Sequence, residues 1–106
     1  MTKLVRPNEA AEQEFRYYIR WYDNESLGLG DRLWSDIQAA ISLISAFPSV
    51  GSVVPRLGVR ETVRRVPLRH FPFRLVYREY PDHLEVIALA HTSREPQYWL
   101  RRLESR

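Results

Sequence analysis

The chain has 106 residues, 44% apolar and 27% charged, a size and balance that fit one folded domain and exclude a disordered polyelectrolyte. It has no cysteine, which excludes a disulfide framework, a thiolate nucleophile and a thiolate metal site. The net charge of +3 conceals an asymmetry, because residues 1–55 carry five basic and seven acidic side chains, residues 56–106 carry eleven and six, and fifteen of the sixteen cations are arginine.

Arginine forms bidentate bonds to phosphate and carboxylate, so the basic half suits a phosphate-bearing or acidic partner. The same arginine usage would also follow from a GC-rich genome. The N-terminal MTKLVRPNEAAEQEF lacks the apolar core of a signal peptide, and no stretch approaches bilayer length. The expectation is a cytoplasmic protein with no membrane role, a single domain over residues 1–106.

Lys3 to Arg6 is long enough only for an edge strand, which Pro7 ends. Asn8 offers a helix N-cap and Glu9 a first-turn anion. Ala11, Phe15, Tyr18, Ile19 and Tyr22 recur at helical spacing and predict a first helix from Glu9 to Glu25. The glycines of Ser26 to Gly30 interrupt it. A second helix follows, its stripe formed by Leu33, Ile37, Ala40, Ile41, Ile44 and Phe47 and its end set by Pro48.

Pro48 to Gly58 reads as an irregular connection, after which the period changes from helical to extended. Glu61 to Val66 is a predicted strand, and Phe73, Leu75 and Tyr77 alternate with Arg74, Val76 and Arg78 in a strand with one core face. Pro81 and Asp82 make a hairpin turn, and the uniformly apolar Leu84 to Ala90 predicts a strand covered on both faces. Arg94 to Arg102 could form a short terminal helix, with Tyr98 and Trp99 exposed or folded back. The predicted fold is α+β: a strand, a helix–helix hairpin, then a three-strand antiparallel meander, with the helices packed on one face of the sheet.

Within that order, VRRVPLRHFPFRLVYRE (Val63 to Glu79) and LEVIALAHTSREPQYWLRR (Leu84 to Arg102) carry arginines, Phe-Pro-aromatic and a strand ending in Tyr-Arg, then an apolar strand followed by His, Arg, Pro and Tyr-Trp. Gly28-Leu29-Gly30 opens the second helix, and Phe47-Pro48 with Gly51 closes it. In these pieces and their spacing the chain resembles the RelE/ParE superfamily, the toxin half of bacterial type II toxin–antitoxin pairs, over nearly its whole length. The resemblance implies a growth-inhibiting cytoplasmic toxin neutralised by a cognate antitoxin. Its target would be DNA gyrase in ParE-like members, or mRNA in the ribosomal A site in RelE-like endoribonucleases. RelE-like nucleases carry lysines around the cleft, whereas this chain has only Lys3. The Arg-Glu-Pro-Gln-Tyr-Trp ending and the Phe-Pro-Phe strand start resemble the ParE-like, plasmid-stabilisation branch.

Cleavage of RNA needs a proton acceptor, cations on the phosphate and an acid for the leaving oxygen. His91, Arg94, Tyr98 and Arg65 are the candidate set, and Arg64, Arg74 and Arg78 are candidate binding cations. A structural reading stands beside it, in which His91 bonds a backbone group, Arg94 ties the tail through Glu95 or Glu61, and Tyr98 and Trp99 close the core. Tyr17 and Trp21 lie one turn apart on the flank of the first helix, with Trp34 and Leu43 off the stripe of the second. With Trp99, these aromatics are candidate partner contacts. His70, His83 and His91 show no ligand spacing with carboxylates, so neither metal nor cofactor is expected. A basic module with neither activity, including a degenerate toxin that keeps only antitoxin binding, is the third reading.

Overall fold

The computed structural model describes residues 2–104. In chain order the elements are β1 (Leu4–Pro7), α1 (Glu9–Glu25), α2 (Leu29–Ala46), β2 (Ser52–Val53), β3 (Val63–Pro67), β4 (Phe73–Glu79), β5 (His83–His91) and α3 (Arg101–Glu104). They form one five-stranded sheet in the order β1-β5-β4-β3-β2, with β1 parallel to β5 and every other pairing antiparallel. This is the predicted α+β architecture, with a two-residue edge strand added inside the connection read as irregular.

Asn8 caps α1 as expected: its side chain accepts from the Ala11 N–H at 2.8 Å. The Asn8 N–H donates to the Val86 carbonyl at 2.9 Å, which fixes the start of α1 against β5. Gly28, at φ 90°, turns the chain into α2. Gly30 then lets the helices meet, because a Cβ there would fall on the Ile19 carbonyl and lie 2.7 Å from Asp23 Cγ. Its N–H instead donates to Asp23 Oδ1 at 2.7 Å. The stripe of α2 ends at Ile44. Phe47 is the C-cap residue and stays largely exposed, so the expectation that it packs inward is not met.

The helices cover one sheet face, where Phe15, Leu33 and Ile37 pack on Leu75, Tyr77, Val86 and Leu89. The other face has a core of its own: Trp99 and Leu103 of the folded-back tail, with Val54, cover Val63, Val76, Ile87 and Ala88. β4 therefore has two buried faces rather than the single one its alternation suggested, and Val76 and Arg78 are both inside. Arg78 tolerates burial because Nη1 donates to Glu61 at 3.2 Å and Nη2 to the Leu103 carbonyl at 3.1 Å. Ile87 is the extra residue of a bulge, since Val76 pairs with Ala88 while Tyr77 pairs with Val86.

Two buried polar side chains pin loops to this frame. The Tyr77 hydroxyl donates to the Pro48 carbonyl at 2.7 Å and accepts from the Gly51 N–H at 3.0 Å, holding the α2–β2 connection. Asp36, buried on α2, accepts from the His70 main-chain N–H and from its Nδ1, each at 2.8 Å, holding the β3–β4 turn. Burial pushes the Asp36 carboxyl up, but the His70 hydrogen bonds, the His70 charge and a bond from Phe71 outweigh it, leaving the group below its ordinary range.

A folded-state pKa below the unfolded one contributes stability that is complete above the unfolded value, about 3.9, and is lost as pH falls toward the folded value. We expect the stability gap between wild type and Asp36→Asn, measured by urea unfolding, to be largest near neutral pH and to shrink below about pH 4. A gap unchanged between those conditions would show that the ionised form is not what holds the turn.

Candidate functional site at the end of β5

β1 stops where Pro7 pairs with Val86, so the outer edge of β5 beyond that point has no strand neighbour. Bare edges expose unpaired backbone groups. Here side chains pair them. The Leu89 N–H donates to Glu14 Oε1 at 3.0 Å, Arg102 Nη1 donates to the Ile87 carbonyl at 2.9 Å, and the Tyr98 hydroxyl lies 3.3 Å from the Leu89 carbonyl.

Glu14 is the centre of this closure. Arg102 grips it as a fork, Nη1 to Oε1 at 3.0 Å and Nη2 to Oε2 at 2.9 Å, and the Tyr98 hydroxyl donates to Oε2 at 2.7 Å. The Arg94 guanidinium lies 3.7 Å over the Tyr98 ring, with Nη1 3.8 Å from Glu14 Oε2. Burial, then the hydrogen bond to Glu14 and its charge, push the Tyr98 phenol far above its ordinary range. The hydrogen bond from Arg102 to Glu14 likewise holds that guanidinium in its charged form against burial. The carboxylate that Arg94 approaches is thus Glu14.

A cleft of about 70 Å³ opens beside this cluster, lined by Arg65, Arg74, His91, Arg94, Tyr98 and Trp99 among others. The structure therefore brings together the proposed catalytic set and Arg74. It separates Arg64 and Arg78 from them. Arg64 Nε bonds Glu79 at 2.7 Å and Nη1 bonds the Ser49 and Gly51 carbonyls, while Arg78 is buried in its own ion pairs. The His91 ring turns toward the helices, 5.0 Å from the Phe73 ring. Its Nδ1 accepts from the Ser93 N–H at 3.1 Å, which places the ring proton on Nε2.

Trp99 is 2% exposed and belongs to the second core. Tyr17 and Trp21 stand out from α1, 61% and 46% exposed, whereas Trp34 packs near Phe15 at 6.2 Å and borders an apolar groove between α1 and α2 with Phe15, Ile19 and Ile41. Glu14 and Arg102, which organise the site, were missed from sequence. The signal for Glu14 was available: it interrupts the apolar stripe between Ala11 and Phe15, where a charge is unexpected. Among the described residues no group of three or more His, Asp or Glu side chains could hold a metal ion, and no helix is long and apolar enough to cross a membrane.

A helix hairpin on one sheet face and a tail with an arginine-lined cleft on the other make a small α+β protein. The structure is similar to a solved chain of the chromosomal ParDE toxin–antitoxin system from P. aeruginosa, with a TM-score of 0.71 and 14% sequence identity over 87% of this chain and 98% of that one. No curated protein matches the sequence. The family model for the ParE toxin of the parDE type II toxin–antitoxin system matches residues 5–96, and the chain belongs to that family. Membership implies an antitoxin partner.

Proposed function

We propose that this chain arrests growth in the cytoplasm by binding DNA gyrase, as ParE-like toxins do, and that its antitoxin neutralises it along the groove bordered by Trp34. The observation that carries this reading is the engagement of the candidate acid and base within the fold. The Tyr98 hydroxyl donates into the Glu14 carboxylate with its ionisation pushed far up, and His91 Nδ1 accepts from the main chain. Tyr98 is thus committed as a donor within the fold, and the His91 ring turns to the helix face, away from the face of Arg65 and Arg74. The exposed Tyr17 and Trp21 offer a protein-binding ridge instead.

The endoribonuclease reading keeps one observation in its favour, that Arg65, Arg74 and His91 line one cleft. The two readings separate on induction of the toxin while mRNA integrity and gyrase supercoiling are followed together. The expected result is growth arrest with supercoiling inhibited and transcripts intact. Early transcript cleavage in the ribosomal A site with normal supercoiling would reverse the assignment.

A further inference from the structure

The cleft beside Tyr98 has a feature that the gyrase reading does not use. Arg65 and Arg74 sit on neighbouring strands, and the register pairs Arg65 with Val76 and Arg74 with Pro67. They are thus diagonal neighbours on the face opposite the helices, with Cβ atoms roughly 7–8 Å apart or less. The other two β3 and β4 guanidiniums, Arg64 and Arg78, are matched by Glu79 and by Glu61 with Glu85. Among the described residues Arg65 and Arg74 make no hydrogen bond or ion pair through their guanidiniums. Glu95 borders the same cleft but bridges to neither. Val76 and Ala90 line the same cleft.

Like charges held together on one sheet face without a counter-ion oppose folding, and an external anion removes that cost. The sequence places further arginines, Arg56 and Arg60, on the connection whose Val54, Leu57 and Val59 pack over this same face. Such an array suits a repeating anion better than a single carboxylate. Single-stranded nucleic acid is bound largely by stacking its bases on aromatic rings. Here the Tyr98 ring is covered by Arg94 and Trp99 is buried, so the cleft offers cations without a free ring.

We propose that Arg65 and Arg74 each take a backbone phosphate of duplex DNA, so that the toxin contacts DNA directly, whether or not gyrase is its target. The site carries no means of reading base edges, and binding is independent of sequence. Arg94, stacked over Tyr98, borders the site.

The test is fluorescence anisotropy of the purified chain with a labelled duplex of about 20 base pairs and arbitrary sequence, titrated with salt in the absence of gyrase. Expected is measurable binding whose salt dependence falls by about two phosphate contacts, with roughly tenfold weaker affinity at low salt, in Arg65→Gln with Arg74→Gln. Arg16→Gln with Arg20→Gln on α1 removes the same net charge and should leave the slope unchanged. If the double variant fails to fold by thermal melting, Arg74→Gln alone, on an exposed side chain, should lower the slope by about one.

No binding to the duplex, or a slope the cleft variants do not change, overturns the proposal. Tighter, equally arginine-dependent binding of single-stranded RNA overturns it in favour of the ribonucleolytic reading. Displacement by polyglutamate at equal charge overturns it in favour of an acidic protein ligand. Because the assay contains no gyrase, its failure leaves the supercoiling experiment to stand or fall separately.

Discussion

Glu14→Ala is expected to destabilise the chain by about 2–4 kcal/mol, because removing one member of a buried ion pair leaves the other charge and its bonding partners uncompensated. The upper range for such losses does not apply, since the Arg102 side chain retains 24% exposure and water can screen it. The groups left behind are nevertheless several: the Leu89 N–H, the Tyr98 hydroxyl and the guanidinium of Arg102 all lose a carboxylate oxygen. Urea unfolding at neutral pH measures the loss. Trypsin sensitivity at Arg101 and Arg102 reports where it occurs, because the tail is held to α1 chiefly through this carboxylate. Glu14→Gln keeps one acceptor and removes the charge, so it should fall between wild type and Ala. A loss under about 1 kcal/mol for the Ala variant, within the ordinary range of surface pairs, would mean that water replaces the cluster and that packing of Trp99 and Leu103, with the Arg78 bond to the Leu103 carbonyl, holds the tail.

How much of this was legible in the sequence depends on whether the determining interaction is local. The bounds of α1 follow from Asn8 and an apolar stripe, both signals within one or two helical turns, and they agree with the structure. The strands β3, β4 and β5 are visible in their periods for the same reason. β2 is two residues long and exists only because Ser52 and Val53 lie beside Arg65 and Arg64, so no local pattern announces it. Phe47 fits the helical spacing of α2, yet the chain leaves the helix there at φ −134°, and spacing no longer determines where the ring points.

The candidate site was half legible. His91, Arg94 and Tyr98 are close in sequence, and the strand register brings Arg65 and Arg74 to them. The carboxylate that binds the tail comes from 84 residues away, and its role appears only once α1 lies along the open edge of β5. Arg64 shows the complementary failure: it neighbours Arg65 in sequence, but alternation along β3 sends it to the opposite face and to Glu79.

Arg94→Ala should relieve growth inhibition while leaving the fold and antitoxin binding near wild type. The argument turns on comparing two costs. On the stability side, Arg94 contributes a stack on Tyr98 at 3.7 Å and a 3.8 Å approach to a carboxylate that Arg102 already neutralises, and half its side chain is in solvent. A cation–π contact at an exposed site contributes about 0.5–1 kcal/mol and a long surface ion pair less. The melting temperature should therefore fall only by a few degrees. On the functional side, a guanidinium at the rim of the cleft, held in place by Tyr98, contributes a charge-assisted contact whose loss costs several-fold to hundreds-fold in activity. Growth after induction, melting temperature and co-purification of the antitoxin, measured on the same variant, decide between them. Arg94→Lys sharpens the comparison, because it keeps the charge but loses the planar stack, and it should restore inhibition only in part. Should Arg94→Ala unfold the chain or abolish antitoxin binding, Arg94 is part of the Glu14 tie rather than of the surface that meets the target.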